Sequence, residues 1–155
     1  MNNVSVNRVF NNRLTGPWKS NINNMLNARG RHYLINYFNY TMKNKNLIKY
    51  AATNTSGKIY GFALLKNEPN SRTRKLLLIS SKSGYGSAIM RKISENASRN
   101  NRNFINLEAL NQSKLVNFYK SHGFQHQFKN RNNLHHMTKR MPRMARVYLN
   151  VPKKT

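Results

Sequence analysis

The chain has 155 residues and no cysteine, which fits one domain by length and excludes disulfides and thiolate metal sites. It carries 28 Lys and Arg against three acids (Glu68, Glu95 and Glu108), a formal net charge of +25. No apolar run approaches the roughly 18 to 20 residues of a membrane span, and the start, MNNVSVNRVF, lacks the apolar stretch of a secretory signal. Intracellular, organellar and virion locations all stay open.

In chain order, residues 4–10 alternate weakly as a first strand. Gly16-Pro17 opens a helix that ends at Gly30, with Trp18, Ile22, Met25 and Leu26 as its apolar stripe. A second helix is expected over residues 32–42. The helical spacing of Leu34, Tyr37 and Phe38 favours core packing over a base-stacking platform there. Residues 47–53 and 59–65 read as a hairpin around Gly57. A third strand follows over 73–80, and its Leu76-Leu77-Leu78-Ile79 run predicts burial on both faces.

A helix over 84–98 comes next, with Ile89, Ile93 and Ala97 recurring every fourth residue. Residues 104–109 alternate as a strand, a helix over 112–122 stops at Gly123, and 124–128 with 134–140 make a last hairpin. This order is α/β with a mixed sheet, as one domain over 1–140 and a basic tail over 141–155. His135 and His136 are adjacent, so on a strand they point to opposite faces, and no metal site is expected. His122 precedes a helix-ending glycine, where a cation suits the helix dipole.

The segment around residue 80 carries chemistry. LLLISSKSGYGSAIM places Gly84 and Gly86 where a strand feeds a helix. Glycine lets backbone approach a ligand closely, and the helix start presents free amides and partial positive charge, which together make a phosphate site.

Ser81-Lys82-Ser83-Gly84-Tyr85-Gly86 resembles the acetyl-CoA loop of the Gcn5-related N-acetyltransferases (GNAT), written Q/R-x-x-G-x-G/A. INLEALNQSKLVNFYKSHGF resembles that family's following strand and helix, matched at Tyr119, Gly123 and Phe124, and GKIYGFALL resembles its central strands. The similarity covers residues 47–140. It implies a GNAT-like mixed, mostly antiparallel central sheet flanked by helices, with strands 73–80 and 104–109 as neighbours.

The resemblance also implies acetyl-CoA as cofactor. Backbone amides of Lys82, Ser83, Gly84, Tyr85, Gly86 and Ser87 would hold its pyrophosphate, and Leu78, Ile79 and Ser80 would lie along the pantetheine arm. Tyr119 would be the general acid that protonates the departing thiolate. Glu108 is the one carboxylate placed to act as base, or it pairs with an arginine. Two positions depart from the pattern: Ser81 stands for Gln or Arg, and Gln112 for a frequent Asn, with Asn111 one place off.

A free chain at +25 repels itself and calls for a polyanion around it, either nucleic acid or acidic protein surfaces. Two functions are therefore expected. The first is a GNAT-fold basic protein serving as a structural or nucleic-acid-contacting component of a large assembly, a virion capsid or a ribonucleoprotein. The alternative is an active acetyl-CoA-dependent N-acetyltransferase that works while bound to a polyanion.

Overall fold

The computed structural model describes residues 4–9, 20, 23–24, 46–82 and 84–142. Ser20, Asn23 and Asn24, inside the first expected helix, are helical. The second expected helix, Ser83 and residues 143–155 lie outside the described residues. The elements are β1 (Ser5–Arg8), β2 (Leu47–Thr53), β3 (Ile59–Asn67), β4 (Thr73–Ser81), α1 (Tyr85–Arg99), β5 (Phe104–Ala109), α2 (Ser113–Ser121), β6 (Gln125–Lys129) and β7 (His135–Arg140). Their order is the one read from periodicity.

The strands form one sheet in the order β1-β2-β3-β4-β5-β7-β6. The β1–β2, β2–β3, β5–β7 and β6–β7 pairs are antiparallel, and β4–β5 is parallel. β4 and β5 are thus neighbours, with Thr73 opposite Phe104 and Leu76 opposite Leu107.

Asparagines shape the turns. The Asn54 side-chain oxygen accepts from the Ser56 and Lys58 amides at 3.1 and 3.0 Å, closing the β2–β3 turn. Asn130 does the same for the Asn132 and Leu134 amides at 2.9 and 3.0 Å between β6 and β7. A short polar side chain that mimics a backbone turn is why asparagine serves here. Asn70, Asn101 and Asn133 hold left-handed backbone at φ 57–59°, which asparagine tolerates better than most residues.

Two compact units make up the chain: Met1–Lys66 with Leu77–Met90, and Asn67–Leu76 with Arg91–Thr155. The described core of the first is built from Tyr50, Phe62, Leu64, Leu65, Ile89 and Met90. In the second, Ile93, Ile105, Leu107, Phe124 and Met137 are buried. There Arg74 is buried as well, its Nε and Nη1 donating to Asn67 and Asn96 at 2.8 Å each, so its charge is met by polar partners.

One expectation is corrected. Residues 76–79 are not buried on both faces: Leu76 is buried, while Leu77, Leu78 and Ile79 are half-buried. An apolar run is doubly buried only where both faces are covered. Cover over this half of β4 is incomplete on each face.

Candidate functional site

β4 ends in a tight turn in the first unit. The Lys82 amide donates to the Tyr60 carbonyl at 2.8 Å, and the Tyr85 amide donates to the Lys82 carbonyl at 3.1 Å. Gly84 sits between them at φ 89°, a conformation that side-chain-bearing residues resist. α1 starts at once, with no acid in its first turn to offset the positive end of the helix dipole.

Cations and rings gather at this turn. The Lys82 ammonium lies 4.7 Å and the Lys58 ammonium 5.6 Å from the centre of the Tyr60 ring, and the Tyr60 and Tyr85 rings are 5.0 Å apart. Tyr60 is the extra residue where the β2–β3 register shifts, between Ala52↔Gly61 and Thr53↔Ile59. Behind it, a Cβ on Gly61 would come within 2.8 Å of both Ser81 Cβ and Ile89 Cδ1, so glycine there lets β3 close on β4 and α1. Sequence reasoning missed Lys58, Tyr60 and Gly61 as parts of the loop. Only strand register could have found them, because they lie on a different strand from the glycine pattern.

Of the residues assigned to the pyrophosphate, Lys82 and Gly84 are exposed, Tyr85 and Ser87 half-buried and Gly86 buried. Of those assigned to the pantetheine arm, Leu78 and Ile79 are half-buried, while Ser80 is 2% exposed. The Ser80 hydroxyl is turned inward without a partner, so any ligand contact there belongs to its backbone.

Tyr119 lies in the second unit, at the end of α2. The Phe124 amide donates to the Tyr119 carbonyl at 3.1 Å and the Gly123 amide to the Lys120 carbonyl at 3.0 Å. Gly123 has φ 89°, and the Tyr119 and Phe124 rings meet edge-on at 5.9 Å. This is a Schellman cap with its apolar contact. The Tyr-x-x-x-Gly-Phe spacing is therefore a helix stop in physical terms, whatever else Tyr119 does. Gly123→Ala should cost about 1–2 kcal/mol in urea unfolding from forced left-handed backbone; a loss under a few tenths would show that the cap contributes little. At the other end of α2, Gln112 is the N-cap without a side-chain bond, and Asn111 instead engages His135 at 2.9 Å.

Glu108, expected as a base or as the partner of an arginine, pairs with Lys75 at 3.0 Å. The Lys75 hydrogen bond chiefly holds its carboxyl below the usual range, against the opposing effect of burial. His136 Nε2 and Asn130 approach the second carboxylate oxygen at 3.7 and 3.4 Å. His122 is the C-cap of α2, but burial, then Lys139 and Arg91, lower its pKa, so the cation expected there is disfavoured. His126 and His135 face each other at 2.8 Å on the opposite side of β7 from His136. Among the described residues, no group of three His or acids is placed to hold a metal.

The chain matches no protein-family model and no curated protein sequence. Solved structures do resemble it: Gcn5 from Tetrahymena superposes with a TM-score of 0.72 at 13% identity, over 89% of this chain and 96% of that one. The fold is that of the Gcn5-related N-acetyltransferases. Aminoglycoside 6'-N-acetyltransferase, solved with coenzyme A, shares the GNAT fold at a TM-score of 0.71 and 15% identity, over 90% of this chain and 98% of its own. The ribosomal-protein-S18-alanine N-acetyltransferase of Escherichia coli does so at 0.68 and 12%, over 89% and 94%. At such identities the likeness to GNAT proteins is one of fold.

Proposed function

We propose that the chain binds acetyl-CoA at the β4–α1 turn and is an N-acetyltransferase. The observation that supports this best is the turn itself. A left-handed glycine, the positive dipole end of α1 and the ammonium groups of Lys82 and Lys58 meet where a pyrophosphate would need them. Half-buried Leu78 and Ile79 lead up to the turn as apolar surface for a pantetheine arm. The residues present therefore fit the cofactor, which would supply an activated acetyl group.

The assignments follow the resemblance. By that resemblance the pyrophosphate would be held by amides of this turn other than those of Lys82 and Tyr85, which already donate to the Tyr60 and Lys82 carbonyls, and Tyr119 would be the general acid. Glu108, already paired with Lys75, which holds its carboxyl low, is not assigned the proton of an acceptor ammonium. Acetyl-CoA at about a hundred times its Kd should raise Tm by roughly 5 to 10 °C. Lys82→Glu, an exposed change, should raise the concentration needed at least about tenfold. No shift at millimolar acetyl-CoA would end this reading. With turnover in hand, Tyr119→Phe should slow it more than about tenfold, and an unchanged rate would remove Tyr119 from the chemistry.

The charge of +25 favours a second reading, compatible with the first: a polyanion-bound, structural or nucleic-acid-contacting component of a large assembly. Acidic protein surfaces are the competing partner.

A further inference from the structure

Among the described residues of the second unit, one sheet face is partly open, exposed at Phe104, Phe128 and Arg140 and half-buried between them. On it, Phe104 and Glu108 of β5 stand opposite Arg140 and His136 of β7, and Phe128 of β6 stands opposite His136. Side chains confirm the shared face: Lys75 of β4 reaches Glu108 at 3.0 Å, and the Phe128 ring lies flat on the His136 ring, 4.2 Å apart and 15° from parallel. The other face is the core side, since the alternating residues Ile105, Leu107, Ala109 and Met137 are buried.

Two large aromatic side chains are left accessible on this open face, Phe104 at 37% and Phe128 at 54% exposed. They stand at opposite corners, roughly 16 Å apart by strand rise and spacing, so each would serve a separate base. Phe128 is backed by His136, which holds the ring in place before anything binds and lowers the ordering cost of binding. The one carboxylate on the face, Glu108, is already met by Lys75. Arg140 stands beside Phe104, and exposed Arg131 lies in the turn after β6; Lys129, opposite His135, is on the other face.

We propose that this face binds single-stranded nucleic acid by stacking bases on Phe104 and Phe128, with the flanking cations on its phosphates. An open sheet face with fixed aromatics among cations suits unpaired bases, whose π-faces stack without regard to sequence. A duplex hides those faces. A second copy of the chain is disfavoured as occupant, because each brings a charge of +25. The proposal rests on the polyanion reading above and adds its chemistry: exposed bases are required, and phosphates alone do not suffice.

The test uses the full chain and fluorescence anisotropy with oligo(dT), oligo(U) and a duplex of equal length, at moderate salt. Single strands should bind more tightly than the duplex. Phe104→Ala and Phe128→Ala should each weaken single-strand binding about 5- to 100-fold and change duplex binding less than about twofold. Phe128→Trp should keep the affinity, and its fluorescence should be quenched on binding. A preference for oligo(dT) or oligo(U) would identify DNA or RNA as the source of the strand. Alanine variants that bind single strands as the wild type does would overturn the platform while leaving salt-dependent polyanion binding intact. No binding to any nucleic acid at low salt would overturn both. Poly(glutamate) bound as tightly, and weakened by the same variants, would make the face a site for acidic protein and overturn base stacking.

Discussion

Raising monovalent salt from about 50 to about 200 mM is expected to weaken nucleic-acid binding by this chain about 10³- to 10⁵-fold. The reason is counterion release. Each phosphate neutralised by Lys or Arg frees condensed cations, so six to ten contacts give a log–log slope of about −5 to −9. The chain has 28 such residues and only three acids to compete for them. They are spread along it, from Arg8 through Lys43, Arg72, Arg99 and Arg131 to Lys154, which is unlike a single helix loaded for a major groove. Residues 143–155 add Arg143, Arg146, Lys153 and Lys154 without an acid. Removing them should shallow the slope by up to about 4. Titration at several salt concentrations reads both effects, and a flat response would point to acidic protein as the partner.

Gly61→Val should destabilise the chain by roughly 1 to 3 kcal/mol. A Cβ at this position meets Ser81 Cβ and Ile89 Cδ1 at 2.8 Å and the Ser80 carbonyl at 3.4 Å. Ile89 can swing its terminal methyl away, but Ser81 Cβ is tied to the backbone, so β3 and β4 must part. The parting falls beside the Tyr60–Lys82 hydrogen bond that begins the loop. Acetyl-CoA binding should therefore weaken in whatever fraction remains folded. Urea unfolding measures the first effect and a thermal shift the second. Wild-type stability in Gly61→Val would mean that the two strands have room to spare.

Much of the architecture was legible because it depends on near neighbours. The four-residue recurrence of Ile89, Ile93 and Ala97 predicts α1, and all three are buried. Gly57 and Gly123 mark a turn and a helix stop through backbone conformations that neighbouring residues already demand. The alternation of Phe104, Ile105, Asn106 and Leu107 predicts β5 with its two faces, and its burial alternates accordingly. The glycines at the β4–α1 junction located a candidate loop for the same reason.

Sequence alone determined the order of the described elements, the helix stop at Gly123 and the excess of positive charge, since each follows from composition or from residues a few places apart. Tertiary structure decided the rest. It set which half of β4 stays accessible, because cover comes from elements far along the chain. Register placed Lys58 and Tyr60 beside Lys82, and Glu108, read as a base or as an arginine's partner, met Lys75. His122 suits a cation by its place at a helix end, yet burial and two nearby cations disfavour the charge there. Phe104 and Phe128, on strands separated by β7, share one open face only through pairing in β5–β7–β6. Periodicity says which face of its own strand a side chain takes; strand order and register alone say which other side chains share that face.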